Sequence, residues 1–434
     1  MNPDFNRLLT SAVEDRRGLF LAAAARLGTT VQNVEKDFWV CWTLDALFNG
    51  LQPGGPRLLF KGGTSLSKGY GLIERFSEDI DITVFREDID TPASVADLEA
   101  LSRKQRDRRL EDIRKACRAF IGGTLKTQLE GLAAGLPIIS GQLRVTLDGD
   151  DADGQTLLLE YPAVSDHDPY VHPAVKIEAG AKSALNPHTP LVVRPYVADD
   201  VAGFDLTVPN VTTVDPVRTF WDKVLILHSL RRSFEDRGRL RGGGQRVSRH
   251  YYDVDRMLRT DIGQRVVADL AMAEDCVRHE RMFFKRSGTD TAVPGSFALV
   301  PPTAMLNQLR LDYEAMAVMI FGEVPAFEAV MNSIAAVEAT VNRDAKKGLG
   351  PRNETEPKPV VNDITPKSSE QMRLLRNSGT DRGIDRLREW LTLGASVDLV
   401  SPSFSLWSPS QNGGKARRGA VAWIGPVALQ AGTT

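Results

Sequence analysis

Two aspartates, Asp79 and Asp81, stand one residue apart in "DIDITVF" (79–85). The segment alternates and is rich in isoleucine and valine, so it reads as a strand, and side chains at i and i+2 of a strand share a face. Both carboxylates then point one way, with Ile80 and Ile82 turned to a core. Two carboxylates on one face repel unless a proton or cation sits between them, and a hard divalent ion relieves this. Taken alone, such a pair is more often a solvated strand edge. Just upstream, "KGGTSLSK" (61–68) carries Gly62, Gly63, Thr64, Ser65 and Lys68. Glycines let a backbone approach a ligand closely, and free N–H groups at a helix start, helped by the Thr64 and Ser65 hydroxyls, hold phosphate oxygens. Lys68, about one turn in, could add charge. An ordinary strand–turn–helix junction with Thr64 as N-cap would look the same.

Spacing removes two familiar phosphate loops. Counted from Gly62, the sixth position is Ser67 and Lys68 is followed by Gly69, so the Walker pattern is absent. The double glycine does not supply GxGxxG. The combination of glycine pair, short helix and DxD strand suits attack on a nucleotide α-phosphate with divalent metals at the entering and leaving oxygens. Such chemistry wants a third carboxylate from another strand. "VKIEAG" (175–180) offers Glu178, with Lys176 on the same face by period-two alternation; an exposed ion pair fits that spacing too.

These residues need elements to position them. Helices are expected over 4–26, 34–48 and 64–72, a long charged helical stretch over 95–133 with a break at Gly122–Gly123, and strands at 58–60, 79–85, 142–148, 155–162, 174–180 and 190–197. From Asp215 the pattern turns helical (215–233, 247–259, 262–280, 304–321, 325–343). The expected fold class is α/β (α+β), a nucleotidyltransferase domain with a mixed sheet over residues 1–210, followed by a helical domain over 211–344 that completes the site. A polar, proline-rich linker (345–371) and an appended tail (372–434) follow.

At this point the residues resemble a family. "KGGTSLSK…RFSEDIDI" is similar to the first motif of the AbiEii/AbiGii toxin-type nucleotidyltransferases, a branch of the DNA polymerase beta-like superfamily. "VEKDFWV" (34–40) resembles the helix before that motif, "VKIE" (175–178) stands where the superfamily keeps a third carboxylate, and "TFWDKVLILH" (219–228) and "SRHYYDVDRM" (248–257) look like two later motifs. The resemblance covers roughly residues 1–340. It implies that Lys223 contacts nucleotide phosphates, that Asp253 completes the site, that Arg249 reaches phosphate, and that Asp79, Asp81 and Glu178 hold Mg2+ or Mn2+. It also implies an NTP substrate, a tRNA 3′ end or other RNA as acceptor, and a cognate winged-helix antitoxin. Two departures stand out: thirteen residues separate Ser65 from Asp79, and Asp222 occupies a position where glutamate is frequent.

Read from periodicity alone, Lys223 is a surface lysine on a helix whose Phe220, Trp221, Val224 and Leu227 face a core, and Arg249 and Asp253 form an i, i+4 pair. The arginine-rich stretch 231–246 reads as a solvated loop that could instead track an RNA backbone. "SDHDPYVH" (165–172) reads as a loop. The tail segment 373–407 resembles the opening of a phospholipase D-like module but lacks its HxK, since no histidine follows His279.

Bulk properties fit these expectations. The 434 residues are 42% hydrophobic and 25% charged with net charge −2, so any nucleic-acid binding must come from a local patch. Three widely spaced cysteines give no zinc signature. With no long apolar run or signal-like start, a cytoplasmic location without membrane contact is expected. The expected function is a metal-dependent nucleotidyltransferase toxin. NTP-dependent phosphotransfer to a protein or small molecule, and a degenerate nucleotide-binding regulator, are the rivals.

Overall fold

The computed structural model describes residues 1–136, 143–165, 173–240, 244–284, 286–293 and 295–348. Most of the expected linker, the tail 372–434 and residues 166–172 of "SDHDPYVH" lie outside the described residues. The described residues all belong to one compact unit.

The chain opens with α1 (Pro3–Leu9) and α2 (Val13–Leu27), two helices where one was expected. Gly28 ends α2 in the left-handed conformation at φ 65°, which suits glycine at a helix C-terminus. Next comes α3 (Val31–Asp45), capped by the Thr30 hydroxyl, which accepts from the Asn33 N–H. Strand β1 (Leu58–Lys61) runs into the short α4 (Gly62–Thr64) and a π-helical turn over Ser65–Gly69. β2 (Ile80–Val84), α5 (Val95–Glu99), α6 (Arg103–Phe120) and α7 (Lys126–Ala134) follow. Gly122–Gly123 does not break the stretch; a π-helical turn over Ile121–Leu125 carries α6 into α7. The remaining strands are β3 (Arg144–Leu147), β4 (Thr156–Glu160), β5 (Ala174–Gly180), β6 (His188–Val193) and β7 (Val208–Val214).

These strands form one mixed sheet in the order β3-β4-β5-β2-β1-β7-β6. β2 lies antiparallel to β1 and parallel to β5, and the register sets Lys61 opposite Asp81 and Asp81 opposite Glu178. Cross-strand partners share a face, so these three side chains line one face at the sheet's centre. Ile80, paired with Ile177, is fully buried against the other face, in the same apolar cluster as Phe38 and Trp42 of α3.

β7 was not expected. It pairs parallel with β1 and delivers the chain to Asp215, whose side chain caps α8 (Pro216–Arg237). Then follow α9 (Ser248–Leu258), α10 (Asp261–Ala268), α11 (Leu270–Phe283), α12 (Thr303–Met316) and α13 (Phe327–Gly348). Their core is a second apolar cluster, which also takes in Leu66, Leu72 and Ile73 from the turn after β1. The first motif therefore contributes to both cores.

Candidate active site

The sheet face that carries Asp81 opens into a cavity bounded by the glycine turn, the end of β5 and helices α8, α9 and α11. Gly62 and Gly63 line it, as do Asp79, Asp81, Glu178, Lys223 and Arg249. The glycines are sterically required. Gly62 has φ +80°, and a Cβ there would sit 2.0 Å from Asp81 Oδ2. A Cβ on Gly63 would come within 2.6 Å of Arg75 Nη2. The turn thus brings bare backbone against the DxD carboxylates and a buried guanidinium.

The hydroxyls and Lys68 lie elsewhere than expected. Thr64 and Ser65 are buried; Thr64 donates to the Asp79 carbonyl and Ser65 Oγ donates to the Gly62 carbonyl at 2.9 Å. They brace the turn against β2, and Ser77, bonded to Thr64 Oγ1 at 2.8 Å, is the hydroxyl of this segment that lines the cavity. Lys68 is buried behind the turn, 2.6 Å from Asp37 Oδ1 and 3.3 Å above the Tyr196 ring. Its partner Asp37 belongs to "VEKDFWV", whose three charged residues are all buried and each tie down a different segment. Glu35 accepts from the Val164 and Ser165 N–H groups, Asp37 also accepts from the Tyr196 N–H, and Lys36 lies 2.7 Å from Glu78. This last contact fixes the residue next to Asp79.

Asp253 is fully buried between two cations. Arg75 donates to it twice, at 2.7 and 2.8 Å, and Lys223 Nζ donates at 2.7 Å. Burial alone would raise its pKa, but Arg75 and Lys223 outweigh that and hold it far below the usual carboxylate range. Lys223 is 6% exposed, so it is not the surface lysine that periodicity suggested. Desolvation pushes its pKa down, with Arg75 and Arg249 adding to the effect, while Asp253 pulls it back. Asp253 takes Arg75 and Lys223 as partners, in place of the i, i+4 arginine Arg249. Arg75 was missed by sequence reasoning, because its partner is 178 residues away.

Asp79 is lifted to about 6 by burial and by the charges of Glu78 and Glu178, although Arg246 lies 3.9 Å away. Lys61 Nζ is 3.5 Å from Asp81 Oδ1. Glu178 is half-exposed and turned to Lys176 at 3.2 Å, as its spacing allowed. Among the described residues no group of three or more His, Cys, Asp or Glu side chains forms a metal-holding cluster. The expected set of Asp79, Asp81 and Glu178 is therefore not gathered around one point. The donors nonetheless fit a divalent cation in one respect: Asp79 is a desolvated carboxylate with excess negative charge around it, and magnesium is held by one or two carboxylates plus substrate phosphates rather than by an all-protein cage.

A family model described as nucleotidyl transferase AbiEii toxin, type IV toxin–antitoxin system, matches residues 45–333. The chain belongs to the AbiEii family of nucleotidyltransferase toxins. The matched span runs from the end of α3 into α13 and contains every cavity residue named above. The chain is also similar to MenT4, a nucleotidyltransferase toxin from Mycobacterium tuberculosis, at 19% identity over 75% of this chain and 97% of that one, with a TM-score of 0.34. No curated protein matches the sequence. As an AbiEii nucleotidyltransferase of a type IV toxin–antitoxin system, the protein has an NTP as substrate and an antitoxin as counterpart. No helix among the described residues is long and apolar enough to cross a membrane.

Proposed function

We propose that this AbiEii-family enzyme transfers a nucleoside monophosphate from an NTP to the 3′ end of a tRNA, in the cytoplasm, and that a winged-helix antitoxin counteracts it. The observation that carries the reading is the shared cavity: backbone glycines, two adjacent aspartates and a desolvated lysine meet there. In this account the Gly62–Gly63 backbone takes up triphosphate oxygens without steric hindrance. Lys223 neutralises phosphate charge, and its position is set by Asp253, which Arg75 holds in turn. Asp79 and Asp81 would hold Mg2+ or Mn2+, with Glu178 close by on β5; such an ion supplies charge stabilisation at the phosphoryl oxygens. The acceptor hydroxyl attacks the α-phosphorus, the bond to the β-phosphate bridging oxygen breaks, pyrophosphate leaves and the hydroxyl proton passes to water.

The test is incubation of the protein with each α-labelled NTP, magnesium and total RNA. Label is expected in RNA of tRNA size, and Asp79→Ala or Asp81→Ala should abolish it. Full labelling by either variant would sink the assignment.

A further inference from the structure

The cavity adjoins a second hollow, of about 280 Å³. Ile226, His250 and Arg286 line both. At that size it is no packing void for one water, whose share of liquid volume is roughly 30 Å³. Its walls are mostly carbon, from Ile226 and Leu230 of α8 and from Leu240. The polar groups around it are already engaged. Ser229 Oγ donates to the Ser287 carbonyl at 2.7 Å, and Arg286 lies 3.3 Å from Glu280. His250 is neutral, because burial and the charges of Lys223 and Arg249 hold its pKa well below the ordinary imidazole value. An occupant therefore meets aliphatic side chains and a neutral ring, with Arg286 at the wall that the two hollows share.

The spacing along α8 says what such an occupant must look like. Lys223, Ile226 and Leu230 stand at i, i+3 and i+7, on one face of the helix. Lys223 lines the first cavity, Leu230 the second, and Ile226 both. With a rise of 1.5 Å per residue, Leu230 lies about 10 Å along the axis from Lys223. A ligand that spans the two hollows has an anionic end beside Lys223 and a flat, weakly polar end beside Leu230. A nucleotide has that form, with ribose joining its phosphates to its base. Resting on the nucleotidyltransferase reading, we infer that the slot formed by Ile226, Leu230, Leu240 and His250 seats the base of the bound NTP by apolar contact. The shared helix face ties the slot to the phosphates that Lys223 neutralises, which are those of the NTP rather than of the acceptor. Ligand sites are commonly built this way, with apolar walls and a few polar groups that fix orientation.

The test is equilibrium binding to the full-length protein with magnesium, comparing ATP, CTP, GTP and UTP with ribose 5-triphosphate, which lacks only the base. Wild type, Leu230→Trp and Leu230→Ala are measured side by side. Wild type should bind at least one NTP about tenfold or more tightly than ribose 5-triphosphate, the gain expected from burying one face of a base. Leu230→Trp fills the slot, so it should bring that ratio to within about threefold of unity while ribose 5-triphosphate binds as before. Leu230→Ala removes contact without filling the slot and should narrow the ratio less. Ratios within one variant do not depend on the folded fraction, so partial misfolding leaves the comparison intact. If wild type transfers α-label while both variants keep its ratios, the inference is overturned and the nucleotidyltransferase reading stands. A raised KM for acceptor RNA with unchanged NTP ratios gives the slot to the acceptor and overturns it likewise. A wild type that binds no NTP overturns both.

Discussion

Gly62 shows how a single side chain's absence shapes the site. Its left-handed φ and its clearance from Asp81 Oδ2 leave no place for a methyl group. Gly62→Ala is therefore expected to displace Asp81 and reduce nucleotidyl transfer by about a hundredfold or more, since displacements of an ångström carry such costs. The thermal midpoint should fall only modestly. Transfer within a few fold of wild type would show that the close approach is unimportant. Glu280 gives a second prediction at this scale. Burial and Asp222 raise its pKa from 4.5 to about 7, with Arg286 only partly opposing. The folded protein then holds the proton more tightly than the unfolded chain. This side chain's destabilising effect is absent below the unfolded pKa, grows as pH rises from about 4.5, and is complete above about 7. Glu280→Gln should raise the melting temperature by a few degrees at pH 8 and by little at pH 5. An equal gain at both pH values would contradict the assignment.

At the scale of elements, the shape of the candidate site depends on α8 and α9 being locked to the turn before β2. Asp253 on α9 is the lock, with Lys223 from α8 and Arg75 from the turn as its cations. Removing the anion from a buried triad strands two charges, at a cost of about 3–5 kcal/mol. Asp253→Asn should lose on the order of that in urea unfolding, whereas Lys223→Met, which leaves Arg75 paired with Asp253, should lose less stability yet abolish transfer. Equal stability loss in both would mean that Lys223, not Arg75, carries the lock. Sequence periodicity foretold some of these elements and not others. β2 and β5 alternate cleanly because one face is apolar and one polar, so period-two spacing alone sets Asp81 and Glu178 on their face. β7 was hidden because "VPNVTTV" carries Pro209 and an Asn210 at φ 61°, residues that interrupt a strand pattern. Lys68 was misplaced and Arg75 overlooked for one reason. Burial of a charge depends on a distant partner, Asp37 or Asp253, which local spacing does not reveal.

For the molecule as a whole, two apolar cores meet at the first motif. Leu66, Leu72 and Ile73 anchor the helical core, while β1 and β2 on either side anchor the sheet core. The cavity lies where they adjoin, so its glycine and aspartate end is built from the sheet and its far end from α8 and α11. This arrangement accounts for nucleotidyl transfer only if the α-phosphate is the reacting centre. The direct measurement is a parallel incubation of wild type and Asp81→Asn with α-labelled and γ-labelled NTP in the presence of total RNA. Wild type is expected to put α-label in RNA and γ-label in released pyrophosphate, and the variant to give neither product. Covalent transfer of γ-label to any acceptor, or α-label incorporation by Asp81→Asn at the wild-type rate, would contradict it.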